Sequence, residues 1–373
     1  MKIGILTFWW GKDNYGQLLQ CYALQQYLRN MGHDAFLVRY RHSFDKKSTP
    51  FLTRLLKSFN PVKLIKFLIY KKKQADNIKE QKKFDRGFDD FRNKYINYSK
   101  KVYDSYIDLK NDTPEADAYI VGSDQVWNYN FLDIPRSMPY HAYFLDFGNE
   151  KTKRLSYAAS WGVNSLPKKV KDVITPLLLK FDYVSVREKN GVELCKQCGV
   201  ENSEWVCDPT LLLSANDYRN LYKENILNIR KPEKQYVVLY MLGNECNFNI
   251  QKVYEWANEK KLEIIYITGN RVVDKREKLF ATIPEWLYLV DNAEYVITNS
   301  YHCGVFSTIF VKRFGIVPLT GKDIEMNSRF ESLFEIRGTG NHYISENDFS
   351  ALEKTYVANK VNISEMFLNT LKD

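Results

Sequence analysis

KIGILTFWWGKDNYGQLLQCYALQQYLRNMGHDAFLVRY, residues 2–40, decides the fold. Lys2–Phe8 (KIGILTF) is a continuous apolar run, the pattern of a strand buried on both faces. Asn14-Tyr15-Gly16 interrupts it. From there Leu18, Leu19, Tyr22, Ala23, Leu24 and Leu28 recur at helical spacing, and Gly32 is a stop. Ala35–Tyr40 reads as a second strand and completes a strand–helix–strand unit. Further strands are expected at Ala118–Gly122, Lys153–Ser160 and Asp182–Val186, so the sheet is parallel with helices on its faces. The polar stretch 224–234 contains Pro232 and precedes a fresh strand at Tyr236–Met241, which places a domain boundary there. Strands at Glu263–Thr268, Tyr295–Thr298 and Phe314–Pro318 follow, with helices over 283–292 and 302–311. The chain thus reads as α/β, with a first domain over 1–230, a second over 231–345 and a helical tail over 346–373.

Its 373 residues match two domains of ordinary size, each able to bury a core without disulfides or metals. An apolar share of 45% and a charged share of 27% exclude collagen-like, low-complexity and wholly disordered classes. No apolar run is long enough to span a bilayer, and Lys2–Trp10 reads as a buried strand, not a signal peptide. Six scattered cysteines suit a reducing cytoplasm. The net charge of +9 is local: residues 41–110 hold 19 Lys/Arg against 8 Asp/Glu, and the remainder is nearly neutral. Within the basic helical insertion, about 45–100, FLTRLLKSF and VKLIKFLIYKKK look like amphipathic helices split at Pro61. Such helices suit an anionic membrane surface or a solvated helical subdomain. No recognisable nucleic-acid module accompanies them.

Polar clusters at strand ends mark candidate sites, because ligands of open parallel sheets bind at the strands' C-terminal edge. Asn14, Tyr15 and Gly16 offer either an anion site at a helix N-terminus or a tight turn. Ser123, Asp124 and Gln125 follow AYIVG and suit a binding loop, with helix capping as the alternative. Arg187 ends DYVSV and is suited to bidentate recognition of carboxylate or phosphate, or else pairs with Glu188 at the surface. In Thr298-Asn299-Ser300-Tyr301-His302-Cys303-Gly304, a histidine stands among small polar residues between a strand and a helix, placed for proton transfer or for capping. Cys195 and Cys198 form an isolated CxxC, which argues against four-ligand zinc, and no metal site is expected. Asp208-Pro209-Thr210 reads as a turn closing the first sheet.

Taken together, KIGILTF…NYGQLLQCYALQQYL, YIVGSDQVWN, SYAASWG, VSVRE, DPTLLL, VITNSYHCGVFSTIF and NSRFESLF resemble the polysaccharide pyruvyl transferase family over most of the chain. The resemblance implies two Rossmann-like domains facing a cleft, as in GT-B glycosyltransferases. It also implies transfer of a pyruvyl group from phosphoenolpyruvate to two hydroxyls of a sugar, forming a ketal in cell-surface polysaccharide biosynthesis. The family's essential histidine falls on His302, its donor-binding arginine on Arg187, and its acidic partner on Asp124. Asn14, Tyr15, Gly16, Ser123, Gln125 and Asn299 are then cleft or acceptor residues, and Ser300 belongs to the donor site. The chain departs from the pattern at Cys303, where many relatives have Gly, and at Lys312-Arg313-Phe314, where many have Lys-Pro-Phe. Some relatives carry Arg where Ser300 stands, which leaves Lys312 and Arg329 as candidates for the second donor-binding cation. Phosphoenolpyruvate acts as co-substrate and no cofactor is expected. The implied acceptor, in polysaccharide assembly often built on a lipid carrier, fits a cytoplasmic protein peripheral to the membrane's inner face. Two alternatives stay open: a GT-B glycosyltransferase using a nucleotide sugar, and a non-catalytic peripheral binding protein.

Overall fold

The computed structural model describes residues 1–41, 72, 79, 84–243, 246–268, 276–361 and 363–372. The basic helices expected over 51–73 lie almost wholly outside the described residues. The first domain runs β1 (Lys2–Leu6), α1 (Tyr15–Asn30), β2 (Asp34–Tyr40), α2 (Phe88–Tyr95), β3 (Tyr98–Tyr103), α3 (Tyr106–Asn111), β4 (Ala118–Val121), α4 (Pro139–Tyr143) and β5 (Lys153–Ser156). It continues through α5 (Lys168–Leu178), β6 (Ser185–Val186), α6 (Lys189–Lys196), β7 (Glu204–Trp205) and α7 (Ala215–Lys223). The second holds β8 (Tyr236–Met241), α8 (Gln251–Glu259), β9 (Glu263–Thr268), α9 (Ile283–Asn292), β10 (Tyr295–Thr298), α10 (Tyr301–Ile309), β11 (Arg313–Ile316) and α11 (Ser328–Arg337). A last helix, α12 (Glu365–Lys372), returns to the first domain.

Every strand pairing in both sheets is parallel. The first sheet has the order β3-β2-β1-β4-β5, and bridges from Leu155 to Tyr183 and from Ala159 to Val186 extend it to β6 and β7. The second has the order β11-β10-β8-β9. Strand order therefore reverses between β1 and β4, and again between β8 and β10. These are the points where an open parallel sheet leaves a crevice. Residues 157–160 are not strand: Ala158 adopts a left-handed backbone (φ 54°), which bends the chain out of β5 toward Arg187. Helix α1 is buried nearly all round, so its polar residues need partners. The Gln20 amide donates to Thr7 Oγ1, the Phe8 carbonyl and the Gln17 carbonyl, and Gln25 pairs with both backbone groups of Asn97. The helix ends as its sequence suggests, with Gly32 at φ 87°.

The two domains share one continuous apolar core rather than touching only at their rims. Its centre is Tyr15. The ring lies flat on Trp286 (centroids 5.1 Å apart, planes 9° apart), and its hydroxyl donates to the Ala281 carbonyl at 2.6 Å. Nearby, Arg219 grips Asp291 with two nitrogens at 2.8 and 3.0 Å, and Tyr222 donates to the same carboxylate. Tyr15→Phe keeps the stack and loses the buried hydrogen bonds of its hydroxyl, to Ala281 and Arg86, a destabilisation of about 1 kcal/mol for each. Tyr15→Ala empties the ring's site and is expected to lose about 3–5 kcal/mol, the range for deleting a buried aromatic side chain. Urea unfolding of the three proteins measures both differences.

Candidate active site

The crevice residues come from strand ends of both domains. Ser123 follows β4, Arg187 follows β6, Asp208 follows β7, and His302 lies in the first turn of α10, beyond β10. The Arg187 and Asp208 side chains are wholly buried and 3.0 Å apart, Nη1 to Oδ2. Ser123 Oγ donates to the same Asp208 oxygen at 2.9 Å and accepts from Arg187 Nη1 at 3.1 Å. The other carboxylate oxygen, Oδ1, accepts from the Thr210 amide at 3.0 Å and the Thr210 hydroxyl at 2.7 Å. His302 Nε2 stands 3.4 Å from Asp208 Oδ2, a charge-pair distance bent away from a hydrogen bond. Burial works to raise the Asp208 pKa, but the neighbouring His302 ring, the Arg187 charge and the Thr210 amide outweigh it and hold it well below the usual carboxylate range.

A second arginine completes the cluster. Two guanidinium groups lie over Tyr301, Arg187 4.5 Å and Arg329 5.6 Å from its ring centre. Arg329 is 8% exposed and hydrogen-bonds through Nε to the Met326 carbonyl. Burial, with Arg187 as a like-charged neighbour, pulls its pKa down to about 10. Arg187 Nη2 is buried without a hydrogen-bond partner. Two close cations, one with an unused donor, suit an anion. Ser300 caps α10, accepting from the Cys303 amide, so its side chain is committed to the helix. Among the described residues, the amides of Tyr301 and His302 find no acceptor, and they add a helix N-terminus to the same place.

The ring of His302 lies directly against Gly16. A Cβ built at Gly16 would stand 2.2 Å from both Cγ and Nδ1 of His302. Gly16 is therefore a requirement of close approach between α1 and α10, not of a tight turn, and its backbone lies in the helix.

The other expected site residues have different tasks. Asp124 forms no hydrogen bond or ion pair with His302 among the described residues, although its charge acts on Arg187 and Arg329. It sits at φ 75°, caps the Gln125 amide at 2.9 Å through its carboxylate, and accepts from the Ser160 amide through its carbonyl. The carboxylate beside His302 is that of Asp208, a residue the sequence reading assigned to a turn. Lys312 is also absent from the crevice. It lies beyond the far end of α10, half-buried, and donates to the Asp291 carbonyl at 2.9 Å. Arg187 does bond Glu188, but both are buried, so the surface-pair alternative does not describe them. Asn14 caps α1 and Tyr15 is an interdomain contact. Asn299 ties the end of β10 to both backbone groups of Leu242. Gln125 reaches across the crevice to Met326 Sδ at 3.5 Å. Among the described residues no group of His, Cys, Asp and Glu is placed to hold a metal ion. Cys195 and Cys198 are buried free thiols. No described helix is long and apolar enough to cross a membrane.

Two Rossmann-like sheets presenting their C-terminal edges to one crevice define a GT-B-like protein. UDP-GlcNAc 2-epimerase from Methanocaldococcus jannaschii, in complex with UDP-GlcNAc and UDP, superposes with a TM-score of 0.50 at 12% identity, covering 100% of this chain and 99% of that one. A Listeria monocytogenes protein described as a UDP-N-acetylglucosamine 2-epimerase gives 0.46 at 10% identity (100% and 95% covered), and a spinosyn rhamnosyltransferase gives 0.39 at 9% identity (100% and 92%). No curated protein sequence matches the chain significantly. The family model for polysaccharide pyruvyl transferase matches residues 14–317, and the chain belongs to that family.

Replacing Gly16 with Ala forces a methyl group into the His302 ring. The expected loss is about 1–3 kcal/mol, the usual result of overpacking. The imidazole resonances of His302 should shift in the same variant, as two-dimensional NMR of histidine-labelled protein would show.

Proposed function

We propose that the protein transfers a pyruvyl group from phosphoenolpyruvate to two hydroxyls of a sugar, closing a cyclic ketal in polysaccharide biosynthesis. The observation that carries this reading is the pair Arg187 and Arg329, 4.5 and 5.6 Å from the Tyr301 ring centre, next to His302. Phosphoenolpyruvate brings a phosphate and a carboxylate within one small molecule. Two buried guanidinium groups and the first amides of α10 complement that charge.

His302 is the proton carrier. It gives a proton to the methylene carbon of the donor, which leaves the neighbouring carbon electron-poor. A sugar hydroxyl attacks that carbon and returns its own proton to the imidazole. The second hydroxyl displaces phosphate, and its proton leaves with the phosphate. The products are the ketal and inorganic phosphate. Holding both reactants in the crevice supplies orientation, and proton transfer by a positioned side chain contributes about 10²–10⁴-fold. A groove of about 610 Å³ along the domain seam, lined by residues including Asn164, Asn190, Glu325 and Ser328, offers amide, carboxylate and hydroxyl partners for a saccharide. A lipid-linked acceptor and contact of the basic segment with an anionic membrane belong to the same proposal.

Incubation with phosphoenolpyruvate and a panel of free and lipid-linked sugars tests the reading directly. The acceptor should gain the mass of a pyruvate ketal, with release of inorganic phosphate. Transfer from a nucleotide sugar, with release of the nucleotide and no use of phosphoenolpyruvate, would overturn it. His302→Ala should fold normally and lose at least about 10²-fold in kcat. Arg187→Lys keeps the charge but not the planar fork, so calorimetric titration should show weaker phosphoenolpyruvate binding. Lys312→Met should bind the donor as the wild type does.

A further inference from the structure

Asp208 does more than a turn requires. Capping the short helical turn Pro209–Leu212 occupies only Oδ1, which takes both donors of Thr210. A surface aspartate would serve that purpose. Here the whole side chain is buried, and Oδ2 is turned inward. Burying a carboxylate is unfavourable by several kcal/mol unless its lone pairs are filled. The groups around Oδ2 come from three separate strand ends: Ser123 at 2.9 Å, Arg187 at 3.0 Å and His302 at 3.4 Å. The first two belong to one domain and His302 to the other. One oxygen atom thus connects the donor-binding arginine to the proton carrier across the domain boundary.

The geometry distinguishes the two nitrogens of His302. Nε2 is buried and faces a carboxylate oxygen, which can only accept. Nδ1 packs beside the Gly16 backbone, keeps a contact with solvent that Nε2 lacks, and makes no hydrogen bond among the described residues. Arg187 is divided in the same way, with Nη1 held by Asp208 and Ser123 while Nη2 is unused.

We infer that Asp208 is the positioning residue of the transfer reaction. Its Oδ2 draws the Nε2–H of His302, so that Nδ1 is the nitrogen that exchanges protons with the substrates. The same oxygen fixes Arg187 so that Nη2 meets the donor. Asp208 itself touches neither substrate. The inference rests on the roles given to His302 and Arg187 above, but the tautomer it assigns is a property of the resting protein.

Nitrogen-15 NMR of histidine-labelled protein at alkaline pH, where histidine rings are neutral, tests it. The His302 signals are identified by their loss in His302→Gln. The wild type should show His302 as the Nε2–H tautomer. A ring protonated on Nδ1 would overturn the inference, whatever the protein's activity. Asp208→Asn should give a mixed or reversed tautomer. It should also lower kcat by roughly 10²-fold or more, the scale for a misdirected acid–base group, and raise the KM for phosphoenolpyruvate. An Asn variant that keeps the wild-type tautomer and kcat would reduce Asp208 to a structural cap. If that variant does not fold, the wild-type tautomer still decides. A wild type that shows the Nε2–H tautomer yet never consumes phosphoenolpyruvate would refute the proposed reaction and leave the tautomer assignment standing.

Discussion

At the bottom of the crevice, two opposite charges are held 3.0 Å apart with both side chains fully buried, and much of the crevice is arranged to sustain them. An isolated buried ion is several kcal/mol less favourable than a hydrated one, so each needs a full set of partners. Ser123, Thr210 and His302 supply those of Asp208, while Glu188 and the face of Tyr301 assist Arg187. These groups stand on the loops after β4, β6, β7 and β10, so this one pair constrains four strand ends in two domains. The Glu188 carboxylate must in turn be satisfied, and it accepts from the Ser160 hydroxyl and the Trp161 amide. That requirement helps explain why the chain leaves β5 through a left-handed residue instead of continuing as strand.

Arg329 meets a different constraint. It shares the Tyr301 ring with Arg187, and the aromatic ring is a weak counter-charge to both. Burial first, and then the like charge of Arg187, lower the pKa of Arg329. The frame of two parallel sheets is common to proteins of different chemistry, as the epimerase likeness illustrates. Side chains at the strand ends, rather than the sheets, set what is bound.

Much of the frame was legible from Lys2–Phe8 and the helix behind it, because parallel strands buried on both faces leave an unambiguous apolar run. His302 and Arg187 were legible for a related reason, since they stand where such runs end. Asp208 was not. Asp-Pro-Thr is the same string whether its carboxylate merely caps a turn or also receives an arginine and a histidine. The difference lies in contacts with Ser123 and His302, more than 80 residues away. Asp124 stands in the loop its sequence marks; one carboxylate oxygen caps the Gln125 amide, and its charge still reaches Arg187 and Arg329. Lys312 could have been set aside from the sequence. The helix from His302 to Ile309 already spans about 10 Å, and Lys312 lies beyond it, well away from the end where His302 stands. Gly16 gave only half of its meaning, because the ring that needs its space belongs to another domain.

The path of the chain after the second sheet has a mechanical consequence. Helix α12 sets Phe367 against Tyr157 and Tyr183, 4.8 and 5.7 Å between ring centres, and Lys153 Nζ donates to the Thr370 carbonyl. The second domain is thereby tethered to the first by two strands of chain, one outgoing near 224–235 and one returning over 346–364. A body held at two points swings about the line joining them, so a single tether's freedom to twist is lost. Undocking α12 would strip an aromatic contact from a core built by residues some 200 positions earlier, so damage near the last residues would be felt first in the domain where the chain starts.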